Sequence, residues 1–347
     1  MPFDKFPGAL LTRIVPLCFI CWYMKEKFSP KPWARNRHLQ SIFASLKIRA
    51  MGGNPMVECA KKVIVDGGDG VRLLGFHSAH KDNAGKGLIL LIHGWEGSSR
   101  STYILHTGRY LFARGYDIFR LNLRDHGASH HLNEGFFHGG LTDETFRAAS
   151  NIARLSQGNP FFIAGFSLGG NFALRIALGH GKRPVKNLKH IISISTILDP
   201  LQSTRLIDNS LFIYGHYFLK KWKRSLEIKE GLFPDLYDFT DILKMKSLMA
   251  MTDGIIERYS PFRDHREYFN SYTLRGDALA DLSVPVSIIV SRDDPFIPVK
   301  DFYELKSNYN LHLSVQQYGG HCGFLDPFPF GCWFEREIEG IMETYTL

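Results

Sequence analysis

Hydrophobic and polar positions along the chain sort into short runs of two kinds. VIVDGGDGVRLLGFH, residues 63–77, reads as two strands joined by a Gly-Asp-Gly turn. GLILLIHG at 87–94 is continuously apolar and stops at glycine, as a strand buried on both faces does. RSTYILHTGRYLFARG at 100–115 repeats its apolar residues at helical spacing and ends on glycine, so it predicts a helix. The alternation continues with a strand at 116–123 and a helix at 142–157, the latter opened by Thr142 and early acids. FFIAGFS at 161–167 is a further buried strand with a helix behind it. Strands at 190–197, 286–294 and 313–321 follow, and CWFEREIEGIMETY closes the chain as an amphipathic helix.

Strand and helix in repeated alternation imply an α/β fold, a mainly parallel central sheet with helices on both faces. Ligands in such sheets collect at the carboxyl ends of the strands. Residues from about 198 to 282 break the pattern with a long, aromatic and basic segment that includes YGHYFLKKWKRSLEIKEGLFPDLYDF. Lying between two core strands, this segment is expected to form a cap over the carboxyl edge. The chain then divides into an arm at 1–50 and one domain at 51–347 that carries the cap insertion.

One serine stands out within this pattern. Ser167 sits at the joint of a strand and a helix, in Gly165-Phe166-Ser167-Leu168-Gly169. A nucleophile at such a turn is forced into a strained backbone, and its neighbours two residues away must be small. The N–H of Leu168 opens the helix and faces the same space, where the positive helix end favours a developing oxyanion. A serine nucleophile needs a base, and His321 closes the last predicted strand between Gly320 and Cys322, with Gly319 and Gly323 around it. The base needs an orienting acid. Asp294, followed by Pro-Phe-Ile-Pro, is preferred over Asp293, which can hold the turn or cap a helix. The order Ser167, Asp294, His321 is one in which nucleophile, acid and base follow each other on open α/β sheets. A second oxyanion donor is expected from His93-Gly94-Trp95-Glu96-Gly97, with the N–H of Trp95 as the candidate and His93 as a brace. Asp125-His126-Gly127 with His130, His131 and His138 looks like a metal cluster, but its spacing matches no ligand pattern. It reads as a loop near the site. No metal and no cofactor are expected.

Composition changes this picture little. The 347 residues are 44% hydrophobic, enough for a large core, and the net charge is +8. A basic balance favours anionic partners. No nucleic-acid motif accompanies it, so no nucleic-acid partner is expected. Five cysteines are too few and too odd in number for a disulfide scaffold, which points to a reducing, cytoplasmic setting. Cys18 and Cys21 form a C-x-x-C with no second pair. The uncharged run IVPLCFICWYM at 14–24 is shorter than the ~20 residues of a spanning helix and contains Pro16. Basic and aromatic residues surround it. The arm therefore either packs on the domain or makes peripheral contact with a membrane interface.

The sequence resembles the α/β-hydrolase superfamily from about residue 60 to the end. It is similar in particular to the YheT-like branch, which is related to the ABHD-type membrane phospholipases and esterases. The closer match lies in PWARNRHLQSIF at 32–43, HGWEGSS at 93–99, RDHGASHHLNEGFFH at 124–138, GFSLGGN at 165–171, DDPFIP at 293–298 and GGHCGF at 319–324. The resemblance implies a serine nucleophile at Ser167 with Asp294 and His321 as partners. It further implies a small-molecule or lipid-like acyl ester or thioester as substrate. Trp95 stands where this branch often has another apolar residue, so any oxyanion role for it rests on its backbone.

Overall fold

The computed structural model describes residues 27–81 and 84–346. The apolar run 14–24 and the Cys18–Cys21 pair lie outside them. Two short helices come first, α1 (Arg37–Ala44) and α2 (Pro55–Glu58). Strands β1 (Lys61–Gly68) and β2 (Val71–Ser78) then pair antiparallel across the Gly-Asp-Gly turn. Asp69 and both flanking glycines take positive φ there, which closes the hairpin.

The rest of the core alternates. β3 (Leu88–Ile92), α3 (Thr102–Phe112), β4 (Asp117–Leu121), α4 (Thr142–Ala153), β5 (Phe161–Phe166), α5 (Leu168–His180) and β6 (Leu188–Ile194) follow in turn. After an insertion come β7 (Val286–Ser291), α10 (Lys300–Tyr303), β8 (Leu311–Gln316) and α11 (Trp333–Glu343). The eight strands form one sheet in the order β1-β2-β4-β3-β5-β6-β7-β8. All pairings from β4 to β8 are parallel. β3, β5 and β7 are buried at every position because helices cover both faces. α4 and α5 pack on one face through Phe146, Phe172 and Ile176. α3 and α11 pack on the other through Ile104, Leu111, Trp333 and Ile338. This is the α/β-hydrolase fold. Among the described residues, no helix is long and apolar enough to cross a membrane.

The insertion between β6 and β7 contains α6 (Pro200–Asp208), α7 (Phe212–Leu232), α8 (Leu248–Tyr259) and α9 (His265–Asn270). α7 is the longest. Along one side it turns Tyr214, Phe218, Lys221, Trp222, Ser225 and Lys229 inward at three- and four-residue spacing. Lys229 is the deepest of these, its side chain 1% exposed. Its ammonium donates to Asp125 Oδ1 at 3.0 Å and to the carbonyls of Asn133 at 2.6 Å and Gly135 at 3.1 Å. Ser225 Oγ, one turn earlier, shares a hydrogen bond of 2.8 Å with His130 Nε2. The long loop after β4 is therefore tied to α7 by a buried cation.

Removing that cation leaves the Asp125 carboxylate, 5% exposed, without its partner. Lys229→Met is expected to cost about 3–5 kcal/mol of stability. Lys229→Met/Asp125→Asn should cost less than the single variant. Urea unfolding midpoints check both expectations.

Candidate active site

Ser167 alone makes the turn between β5 and α5, at φ 54° and ψ −118°. Such a positive-φ conformation costs a residue with a side chain roughly 1–3 kcal/mol unless its surroundings impose it. They do so here. The Ser167 N–H donates to Ile194 O at 2.9 Å. A Cβ on Gly165 would overlap the backbone of Gly169 and Gly170, and one on Gly169 would overlap the carbonyls of Ile92 and His93. Only glycine at both places lets α5 lie against β3 and β5 closely enough to form this elbow.

Asp294 and His321 arrive from beyond the carboxyl ends of β7 and β8, two and three strands from β5. β8 ends at Gln316, five residues short of the histidine, so His321 stands on a loop rather than at the strand end that the apolar pattern predicts. Gly319 and Gly320 take positive φ and turn the chain back over the sheet. Asp294 likewise lies three residues past the end of β7. His321 Nδ1–H donates to Asp294 Oδ2 at 2.8 Å. Nε2 is left as an acceptor, 3.0 Å from Ser167 Oγ. Asp294 Oδ1 accepts the N–H groups of Phe296 and Ile297 at 2.9 and 3.1 Å, which fixes the carboxylate. Asp293 turns the other way and accepts from Gly320 N–H at 2.9 Å. Burial alone would lower the pKa of His321, but the Asp294 carboxylate outweighs it and holds the imidazole well above its ordinary value of 6.5.

The loop carrying His321 rests on α1. Ser41 Oγ accepts the His321 N–H at 2.8 Å, and Gln40 Oε1 accepts the Leu325 N–H at 2.8 Å. Gly320 and Gly323 lie so close to α1 that a Cβ on either would press into the carbonyl of Arg37 or Gln40. PWARNRHLQSIF contains both Ser41 and Gln40, but nothing in its residue types assigns them this task. Their partners are about 280 residues away.

Trp95 and Leu168 meet beside Ser167. A Cβ on Gly94 would lie 3.1 Å from the Ser167 Cβ, so the loop after β3 passes directly by the serine. Neither the Trp95 N–H nor the Leu168 N–H has a hydrogen-bond partner among the described residues. Neutral histidines hold the loop in place. His93 Nδ1–H donates to Gly94 O at 2.7 Å and its Nε2 accepts from Leu123 N–H at 3.2 Å. His126 Nδ1–H donates to Arg124 O at 2.7 Å and its Nε2 accepts from Glu96 N–H at 3.1 Å. Burial pushes His93 down to about 4 and His126 well below 6.5. Lys221 of α7 donates to Glu96 O at 2.7 Å. Burial also pushes the Glu96 carboxyl up to about 8 against the pull of Lys221, so near neutrality most of it carries no charge.

From Trp95 and Leu168 a pocket runs beneath the insertion. Phe137, Ile197, Ile207, Ile256 and Phe262 line it, with Trp222 above. Trp95 itself lies between Phe218, stacked at 5.5 Å, and Trp222, edge-on at 5.2 Å. Among the polar residues of the lining is His138. Burial holds it down to about 4, and its Nδ1 has no partner among the described residues. Asp125, His126, His130 and His138 thus serve loop packing and the pocket wall. The described residues bring three metal-type donors together elsewhere, at His106, Cys332 and Glu335 between α3 and α11. Those donors are already spent. Glu335 Oε1 accepts from His106 at 2.8 Å and from Thr107 at 3.1 Å, and Cys332 Sγ accepts from Arg49 at 2.9 Å.

The sequence model of the alpha/beta hydrolase family matches residues 89–330. Phospholipase ABHD3 of Bos taurus is 24% identical over 323 residues, spanning 90% of this chain and 76% of that protein. Monoacylglycerol lipase ABHD2 of Danio rerio is 23% identical over 345 residues, spanning 90% and 78%. Among solved structures, the Pyrococcus furiosus esterase Pf2001 superposes with a TM-score of 0.52 at 15% identity, over 83% of this chain and 93% of its own. That last likeness is one of fold. With the fold, the elbow and the family match in agreement, the chain belongs to the alpha/beta hydrolase family.

Proposed function

We propose that this protein is a serine hydrolase of carboxylic esters, acting on an acyl or lipid-like substrate through Ser167, His321 and Asp294. The observation that carries the reading is the continuous relay from Ser167 Oγ through His321 to Asp294, with both hydrogen bonds at or under 3.0 Å. His321 takes the proton of Ser167 as the hydroxyl oxygen attacks the ester carbonyl carbon. The carbonyl oxygen, now negative, is met by the N–H groups of Leu168 and Trp95, and each such donor is worth roughly 3 kcal/mol to the transition state. The tetrahedral species collapses as His321 returns the proton to the departing alcohol, leaving Ser167 acylated. Water then repeats the sequence and releases the acid. Asp294 stays ionised, keeps the imidazole in one tautomer and stabilises its cationic form.

The largely apolar pocket suits the acyl chain, because Leu168, the residue after Ser167, and Trp95 both line it. The insertion α6–α9 then acts as the cap. The names of the phospholipase and monoacylglycerol lipase relatives support a lipid-like ester, and the motifs from Pro32 to Phe324 support the YheT-like branch.

Lys221 is a positioning residue in this scheme. It ties the cap to the carbonyl of Glu96, next to the Trp95 donor, so cap and oxyanion loop hold one geometry. Ser167→Ala should lose roughly 10⁴-fold or more of kcat on a short acyl ester, keep its Tm, and escape labelling by a fluorophosphonate that labels the wild type. Retained turnover in that variant rejects the reading.

Asp294→Asn removes the cause of the raised His321 pKa. The base must be unprotonated to act, so the acid limb of kcat/KM should lie above pH 6.5 in the wild type and move to lower pH in the variant. Its kcat should fall roughly 10³- to 10⁴-fold. Lys221→Met should lower kcat about 10- to 100-fold and leave KM less changed, because it disturbs donor placement more than substrate binding.

A further inference from the structure

The inner side of α7 is spent on the site, and its outer side carries a different chemistry. At the N-terminal end Leu211 is 52%, Phe212 84%, Ile213 56% and Tyr217 46% exposed. Exposed apolar side chains taken singly are ordinary, but a contiguous set of this size marks a contact surface. Ile213, Tyr217, Lys220 and Arg224 follow each other at three- and four-residue spacing, so the apolar end runs directly into cations on the same side of the helix. Phe212 and His216 stack beside them with ring centroids 5.4 Å apart. No Asp or Glu occurs between Asn209 and Leu226. Among the described residues, Lys220, Lys223 and Arg224 take part in no ion pair. Arg37 and Leu39 of α1 are exposed too, and α1 meets this end of α7 where His38 Nδ1 and Tyr214 OH share a hydrogen bond of 3.0 Å.

This face also sits next to the chemistry. Tyr214, the residue after Ile213, packs edge-on against Phe296 at 4.8 Å, and Phe296 packs against the His321 ring at 5.2 Å. A surface of bulky apolar groups followed by unpaired cations matches an anionic bilayer, with acyl chains below the headgroups and negative charge at their level. A second protein copy would have to supply several carboxylates against the same cations and apolar groups against the same rings, and on this side of α7 the one carboxylate is Glu227, a turn beyond Arg224.

We propose that the N-terminal half of α7 docks the protein on anionic lipid surfaces through Phe212 and Ile213, with Lys220 and Arg224 against the headgroups, so that the cap faces the membrane holding its substrate. The proposal rests on the ester-hydrolase reading for its purpose but not for its test. The full chain is floated with phosphatidylcholine vesicles, with and without phosphatidylglycerol, alongside Phe212→Glu/Ile213→Glu and Lys220→Glu/Arg224→Glu. Both pairs are exposed and outside the relay, so the variants should keep the wild-type Tm and turnover of a short soluble ester.

The wild type should float with the phosphatidylglycerol vesicles and far less with phosphatidylcholine alone. Each double variant should lose at least about tenfold of the bound fraction, and turnover of an ester presented in those vesicles should fall in step. Equal flotation of wild type and both variants overturns the proposal. So does a wild type that stays in solution and instead forms a concentration-dependent dimer that the variants dissolve. A wild type that floats as expected but turns over no soluble ester leaves docking supported and counts against the hydrolase reading.

Discussion

Everything at the site follows from how closely α5 approaches the middle of the sheet. A helix carrying any side chain at position 169 would meet the carbonyls of Ile92 and His93, and a side chain at position 165 of β5 would push into the backbone of α5 at Gly169 and Gly170. With glycine at both, the chain reverses direction within one residue, and that residue is held at a φ that only its surroundings can maintain. The strain fixes where the hydroxyl points. It also brings the start of α5 beside the loop after β3, where a Cβ on Gly94 would lie 3.1 Å from the Ser167 Cβ. The remaining groups then have to come to Ser167, since Ser167 cannot move toward them.

That requirement explains what the amino-acid pattern reveals and what it hides. The sheet is legible because burial writes itself into composition: β3 as LILLI and β5 as FFIAGF have no alternative two-faced reading. The elbow is legible because its steric demand falls on neighbours two residues away. Asp294 and His321 are legible as residues but not as geometry. Their strands stop at Ser291 and Gln316, and the last part of the approach is made by loops whose course depends on tertiary contacts. The choice between Asp293 and Asp294 is of this kind, since adjacent carboxylates differ only in which way the turn presents them. Ser41 and Gln40 could not be found at all from local spacing, because a side chain that accepts from a backbone N–H far along the chain leaves no periodic mark.

The insertion shows the same limit from another side. Its aromatic and basic composition marks it as separate from the core, yet composition cannot say which residues turn inward. Helical spacing divides α7 into an inner row ending at the buried Lys229 and an outer row from Ile213 to Arg224. Lysine appears in both rows with opposite consequences. Lys229 is desolvated and therefore needs a carboxylate and carbonyls around it, whereas Lys220 remains hydrated and free to meet an external charge. The lysine cluster KKWK thus cannot be read as one patch: Lys221 within it points at Glu96 while Lys220 points away.

The histidines show how far environment outweighs residue type. The chain has 15 of them, and side-chain identity alone cannot separate a base from a brace. Burial does most of the sorting. It drives His93, His130 and His138 to about 4 and His190 to about 3, and it holds His126 well below 6.5. Those rings stay neutral across the working range and can each accept one hydrogen bond and donate another without changing charge. His321 is buried as well, but it faces an ionised Asp294, and the direction reverses. The ring proposed to gain a proton is thereby placed beside a carboxylate fixed by two backbone N–H groups, while His93 and His126 bond to backbone groups instead. The electrostatic contrast between His321 and His93 or His126 separates a ring whose affinity for a proton is raised from rings held neutral against backbone groups.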